Sequence, residues 1–284
     1  MATIFKAACI QNCAGRDVAA NIEETDRLTR EAAAVGADFV SLPEYFSGLD
    51  VENGRLKVPA FPENEHPALA HFRALARELS VVLNLGSLPI VSGGGKAFNR
   101  GYMIDREGKI TARYDKIHLF DVDLPDGESY RESDTIQAGK QPVLAETPWC
   151  EMGLSICYDL RFAQLYRMLA QAGAEVLLIP AAFTRTTGKA HWHLLNRARA
   201  IETGCFVIAA CQGGTHECGA ETYGHSLIVA PWGEVLADGG EETGFVMAEI
   251  DLEQVTRARH MIPAWQDNRD FTVTQVEPLR LAGE

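Results

Sequence analysis

Residues 153–180 read GLSICYDLRFAQLYRMLAQAGAEVLLIP. The opening run, Gly153–Cys157, is short and mostly apolar and stops at a polar turn, the pattern of a buried strand. Phe162–Gln171 then sets Leu165 and Leu169 four residues apart among Gln164 and Arg167, with Gly173 just past the end, which predicts a helix with a glycine stop. Glu175–Pro180 is again a short apolar run. Strand, helix and strand in one stretch predict an α/β unit.

The same style extends both ways along the chain. Upstream, Thr3–Gln11 is a predicted strand and Val18–Val35 a helix closed by Gly36. Asp38–Leu42 is a short buried strand that runs into Pro43 and Glu44. Pro67–Leu79 has helical spacing, Val81–Gly86 reads as a strand, and Gly101–Asp105 with Ile110–Tyr114 flank a turn at Arg106-Glu107-Gly108-Lys109. Downstream, Ala190–Thr203 is a helix ended by Gly204, and Cys205–Cys211 a strand. His225–Ala230 and Glu234–Ala237 flank Pro231-Trp232-Gly233. Gly244–Ile250 and a helix at Leu252–His260 complete the pattern. No linker or repeat divides the chain, so residues 1–284 are expected to be a single α/β domain of mixed sheets and outer helices, with a C-terminal tail from about 262 to 284. Tyr114–Gly139 is polar, acidic and weakly periodic, which predicts a long loop of the kind that often carries function.

The chain has 284 residues, 46% of them hydrophobic and 23% charged, the balance of a globular protein with a sizeable core. Its formal charge is 26 − 39 = −13. That surface repels phosphate backbones, and no basic run offsets it, so a nucleic-acid partner is not expected. The longest apolar runs, such as Val176–Pro180 followed by Ala181–Phe183, are too short to span a bilayer, so no membrane partner is expected either. Met1–Gln11 reads as strand rather than leader. Seven cysteines, an odd number lying mostly in strand-like segments, predict buried apolar thiols in a reducing cytoplasm.

Three candidate chemical groups lie at strand ends or in the polar loop: Glu44, Cys157 and Lys116. Ligands in α/β folds gather where strands give way to loops. Taken singly, each has a plainer reading: a solvated acid, a core thiol, a lysine facing water. A rival set, Cys211, His216, Cys218 and His225, could bind zinc, but it lacks a paired Cys-x-x-Cys and Cys211 sits in an apolar strand, so no metal is expected.

Together, Leu42-Pro43-Glu44, Tyr114-Asp115-Lys116-Ile117-His118-Leu119-Phe120 and Ile156-Cys157-Tyr158-Asp159-Leu160-Arg161-Phe162 resemble, in order, the three catalytic signatures of the nitrilase (carbon–nitrogen hydrolase) superfamily. Arg131-Glu132-Ser133, Thr187-Gly188-Lys189-Ala190-His191-Trp192 and Tyr223-Gly224-His225-Ser226 with Pro231-Trp232-Gly233-Glu234 resemble its Nit branch, which holds deaminated glutathione amidases and omega-amidases. The resemblance implies a four-layer α-β-β-α sandwich and a cysteine amidohydrolase without metal or organic cofactor, working through a thioester. It implies Cys157 as nucleophile, Glu44 as general base, and Lys116 with the backbone N–H of Tyr158 as oxyanion donors. Glu132 would support Lys116 or Glu44, or else be a surface acid. Arg161 and Thr187 would hold a carboxylate on a small amide substrate, unless Arg161 pairs with Asp159. Phe183, Tyr45 and Trp192 would wall the pocket, or else be plain core. The resemblance further implies a homodimer through Phe162–Gln171 and Ala190–Thr203. Within it, a 2-oxo amide of the deaminated-glutathione type is the expected substrate. Alternatives are 2-oxoglutaramate or 2-oxosuccinamate, an N-carbamoyl amino acid, or an idle binding scaffold on the same fold.

Overall fold

The computed structural model describes residues 3–52, 54–124, 127 and 129–275. Met1 and Ala2, three positions of the predicted loop (125, 126 and 128) and the end of the predicted tail (276–284) lie outside the described residues.

One sheet contains β1 (Ile4–Gln11), β2 (Phe39–Ser41), β3 (Val82–Asn84), β4 (Leu88–Val91), β5 (Ala97–Ile104) and β6 (Ile110–Asp115). The second contains β7 (Val143–Glu146), β8 (Glu151–Leu154), β9 (Val176–Leu178), β10 (Phe206–Ala209), β11 (Leu227–Val229) and β12 (Val235–Asp238). The last long strand, β13 (Gly244–Asp251), returns to the first sheet beside β1. The first sheet runs β13-β1-β2-β3-β5-β4, with β6 also on β5, and the second runs β7 through β12 in chain order. Each has a parallel trio at its centre, β1-β2-β3 and β8-β9-β10, with antiparallel strands outside it. The trios are linked by helices: α1 (Val18–Ala34) and α2 (Pro67–Leu79) in the first half, α3 (Ala163–Gln171) and α4 (Arg185–Thr203) in the second. A final helix, α5, covers Glu253–Met261.

The alternation of side chains along β1 separates the layers. Phe5, Ala7 and Cys9 join the core shared with the second sheet, while Ala8 and Ile10 join the core packed under α1 and α2. Phe5 stacks on Trp149 across the sandwich with ring centroids 4.4 Å apart. In the second half, a Cβ on Gly153 would lie 3.1 Å from Leu169 of α3, so the glycine lets that helix lie close on β8. These contacts make the four-layer α-β-β-α sandwich.

Several boundaries differ from the sequence reading. Two strands of the main sheets, β4 and β7, were not anticipated, nor were the short pairs Val51–Glu52 with Arg55–Leu56 and Gly213–Thr215 with Glu221–Tyr223. The polar loop contains a short hairpin, Asp121–Asp123 with Ser129–Arg131, and a 3-10 turn at Glu132–Asp134. Helix α4 starts at Arg185 rather than Ala190, so Thr187 lies in its first turn and not in a loop. The start of the predicted tail is folded: Pro263–Trp265 forms a 3-10 turn, and Gln171 of α3 donates to the Trp265 carbonyl at 3.0 Å.

Burial also creates a pH liability. His66, at the N-terminus of α2, is 1% exposed against Phe61, and neither ring nitrogen has a partner among the described residues. Burial pushes its pKa down from 6.5 to about 4. The unfolded chain therefore takes up a proton first as pH falls, so stability is full above 6.5 and declines toward 4. Between pH 7 and pH 5 this group should remove about 2 kcal/mol. Urea melts of His66→Phe are expected to show a pH dependence smaller by that amount, and an unchanged pH dependence would refute the assignment.

Candidate active site

The C-terminal ends of the parallel strands in both sheets meet at one cavity. It encloses about 740 Å³ of empty space out to its mouth, and Glu44, Lys116, Glu132 and Cys157 line its floor. Glu44 follows β2, Lys116 follows β6, and Cys157 follows β8, so two of these side chains come from one sheet and the thiol from the other.

The charged cluster is closely knit. Lys116 Nζ donates to Glu44 Oε1 at 2.9 Å and to both Glu132 oxygens at 2.9 and 3.1 Å. Asn99 Nδ2 bridges the same two carboxylates at 2.8 and 3.1 Å. Glu132 also accepts from the Phe120 N–H at 2.7 Å and the Tyr45 hydroxyl at 3.3 Å. Its oxygens are thus filled by fixed donors. Glu44 Oε2 accepts the Ala182 N–H at 2.9 Å, and the Glu44 carboxylate shares the cavity floor with the Cys157 thiol. Glu132 is therefore no surface acid; at 9% exposure it is part of the buried cluster.

The pKa directions follow from this arrangement. Burial pushes the Cys157 thiol well up, the Glu44 charge adds to the rise, and Lys116 opposes it. The resting group is a neutral thiol. Burial alone would lower the Lys116 ammonium, but the Glu132 and Glu44 carboxylates outweigh it and hold the pKa well above the usual lysine value. Lys116 is a permanent cation here.

Backbone geometry presents the thiol. Cys157 has φ +51°, in the left-handed region, and its N–H donates to the Pro180 carbonyl at 2.9 Å. It opens a 3-10 turn at Cys157–Arg161, rather than ending a strand. Tyr158 is the second residue of that turn, a position whose N–H has no acceptor within the helix. Tyr45 is likewise at φ +54°, and Gln212 holds this turn by donating to the Glu44 and Tyr45 carbonyls at 2.8 and 3.0 Å.

Asp159 ties the cysteine turn to the lysine segment. Fully buried, it accepts from the Ile156 N–H at 2.9 Å, the Tyr114 hydroxyl at 2.7 Å and the His118 N–H at 3.0 Å, and it contacts His118 Nδ1 at 2.7 Å. These partners rule out the suggested Arg161–Asp159 pair. Arg161 instead contacts His191 Nδ1 at 3.3 Å and lies over the rings of Phe183 and Tyr158, at 5.2 and 5.7 Å from their centroids. Both of those rings line the cavity, whereas Arg161 stands behind them. Thr187 lines it too, 2.7 Å from the Thr184 hydroxyl, as does Tyr45.

Trp192 corrects an expectation. It is fully buried behind Phe183, with centroids 5.0 Å apart, and its Nε1 donates to the His225 carbonyl, so it supports the wall without forming it. The rival zinc set is dispersed as well: His216 bonds the Ala14 carbonyl and Thr222, and Cys211 donates to the Gln212 carbonyl. Asn99 and Gln212 had been given no role, and Asp159 only that of a partner for Arg161. Asn99 stands between Phe98 and Arg100 on β5, so no local signal marks it as facing inward.

Two facing sheets with a buried Glu-Lys-Cys cluster at their strand ends define a class of carbon–nitrogen hydrolase fold, and the comparisons agree. The sequence profile described as carbon-nitrogen hydrolase matches residues 6–260, and the chain belongs to that family, hydrolases of carbon–nitrogen bonds other than peptide bonds. It is 39% identical over 264 residues to a deaminated glutathione amidase from Synechocystis sp., covering 92% of this chain and 97% of that protein. It is 37% identical over 268 residues to the human omega-amidase NIT2, covering 94% and 96%. The crystal structure of the Caenorhabditis elegans NitFhit protein superimposes with a TM-score of 0.85 at 35% identity, over 95% of this chain and 66% of that one. The chain is thus a cysteine amidohydrolase of the nitrilase superfamily.

Proposed function

We propose that Cys157 attacks the carbonyl carbon of a small linear amide, and that the chain works as one catalytic domain. The meeting of the Glu44 carboxylate and the buried neutral thiol on one cavity floor carries this reading. Glu44 takes the thiol proton as the carbon–sulfur bond forms, because a thiol pushed up by burial needs a base at the moment of attack. The oxyanion is met by the Lys116 ammonium and the Tyr158 N–H. Glu44 returns the proton to the leaving nitrogen, ammonia departs, and a thioester remains. Glu44 then draws a proton from water, hydroxide adds to the thioester, and the carbon–sulfur bond breaks to give a carboxylic acid and the thiol. Glu132, filled by fixed donors, positions Lys116 and leaves proton transfer to Glu44.

The substrate is a 2-oxo amide with a distal carboxylate, of the deaminated-glutathione type. A relative of that name aligns over nearly the whole chain, and the aromatic walls suit an extended ligand. Thr187 would contact the carboxylate, with Arg161 adding positive charge from behind the Phe183 and Tyr158 rings and with Phe183 and Tyr45 against the stem. The second reading, an omega-amidase on 2-oxoglutaramate or 2-oxosuccinamate, rests on the human relative. Seven free cysteines suit a reducing cytoplasm. Exposed Met168 of α3 with Leu194 and Ile201 of α4 suit a homodimer on those helices.

Ammonia release from deaminated glutathione, 2-oxoglutaramate, an N-carbamoyl amino acid and a nitrile tests the reading, with sedimentation of the same sample to report the oligomer. Turnover of deaminated glutathione at the highest kcat/KM, abolished in Cys157→Ala, is expected. Preference for 2-oxoglutaramate would select the second reading; turnover of the nitrile with no amide would sink both. A stable monomer at micromolar concentration would remove the dimer.

A further inference from the structure

Away from the cavity floor, three metal-ligating side chains converge where α4, the chain leading into β11 and the end of β12 meet. We propose that His193, His225 and Asp238 bind one zinc ion. His193 Nε2 lies 3.0 Å from Asp238 Oδ2, and His225 Nδ1 lies 2.8 Å from Asp238 Oδ1. All the potential ligand atoms fall within 4.8 Å of one another. Zinc holds nitrogen and oxygen ligands at about 2.0–2.2 Å, which sets neighbouring ligand atoms a little over 3 Å apart. Each imidazole already stands at nearly that distance from one oxygen of the Asp238 carboxylate, so the rings need only close on a common ion. Two imidazoles and one carboxylate suit zinc better than magnesium or calcium, which favour all-oxygen sites.

The site is held in place by structure beyond its ligands. His225 sits at φ +52°, a strained conformation for a residue with a side chain, and its N–H donates to the Gly240 carbonyl at 2.6 Å. Its carbonyl accepts from Trp192 Nε1 at 2.7 Å, and Trp192 immediately precedes His193 on α4, so the two histidines are tied through one indole. The Tyr223 ring stacks on His225 at 4.4 Å and leans on Gly188 of α4, where an added Cβ would lie 2.3 Å from the ring. The Gly240 N–H fixes Asp238 Oδ1 at 2.9 Å. Each ligand is thus oriented before metal arrives, and all three side chains are partly exposed, which leaves a coordination position for water.

The proton balance is simple. On binding, each ring gives zinc the lone pair of one nitrogen and keeps one proton on the other, and any second proton passes to solvent. No oxidant or reductant is involved, and the proposal stands apart from the amidase reading.

Equilibrium dialysis of zinc against the intact chain tests it, using wild type, His193→Ala, Asp238→Asn and Cys157→Ala. One equivalent should bind to wild type and to Cys157→Ala, with affinity at least about tenfold weaker in the other two. Asp238→Asn is isosteric, so it keeps the measurement meaningful even if His193→Ala folds poorly. Cobalt in place of zinc should give a visible spectrum without a sulfur charge-transfer band. No binding to wild type, equal binding in all four proteins, loss in Cys157→Ala, or a sulfur band would each overturn the assignment.

Discussion

Replacing Lys116 with methionine is expected to damage both activity and stability. Among the described residues the ammonium is the one cation between two buried carboxylates, at 2.9 Å from each. Methionine fills a similar volume but leaves Glu44 and Glu132 sharing Asn99 with no positive charge. Breaking a buried pair by removing one partner costs about 3–5 kcal/mol. Losing an oxyanion donor lowers kcat by about 10²–10³. The stability defect should shrink in acid. Two uncompensated carboxylates raise each other's folded pKa, so the folded variant binds more protons than the unfolded chain, and its stability falls as pH rises. Adding Glu132→Gln should restore much of the stability and none of the activity. Urea melts and ammonia release on the single and double variants measure both; near wild-type turnover in Lys116→Met would remove Lys116 from the mechanism.

The second large effect lies at the nucleophile. Cys157→Ala and Cys157→Gly should both lose activity, on the order of 10⁶-fold. Their stabilities should fall in an unusual order. Glycine is ordinarily the less stable choice, because its unfolded chain has more freedom to lose. At φ +51° the alanine carries the left-handed penalty and the glycine does not. The glycine variant is expected to be more stable by about 1 kcal/mol. Alanine equal to or above glycine in thermal melts would mean that no strain is held there.

The same position shows how far the sequence could be read. Glu44 and Cys157 were legible because each closes a short apolar run, Lys116 because it lies early in the polar loop, and all three because they sit in ordered signatures. The turn around Cys157 was not, since it depends on a distant bond to the Pro180 carbonyl and on Asp159, which Tyr114 and His118 hold in place. The two unanticipated strands of the main sheets are edges, β4 and β7. Pro89 interrupts the first, as proline is tolerated on edges, and Val143–Glu146 is short and half-exposed. Arg185-Thr186-Thr187-Gly188 has weak helix propensity, yet it is helical because Gly188 lets Tyr223 pack against it. Trp192 looked like a wall residue from its place in the signature; its bond to the His225 carbonyl, 33 residues away, turns it into the core. Asn99 lies 55 residues from Glu44, and no local pattern reports that contact.

Asp159 gives the sandwich a further property. It pins the turn that carries the thiol to Tyr114 and His118, which bracket the lysine on the opposite sheet. The thiol and the ammonium therefore cannot drift apart unless one sheet slides over the other. Turnover in such a molecule is a gauge of intersheet alignment: a core substitution far from the cavity that shifts the two layers by a fraction of an ångström registers as lost rate while every strand remains intact.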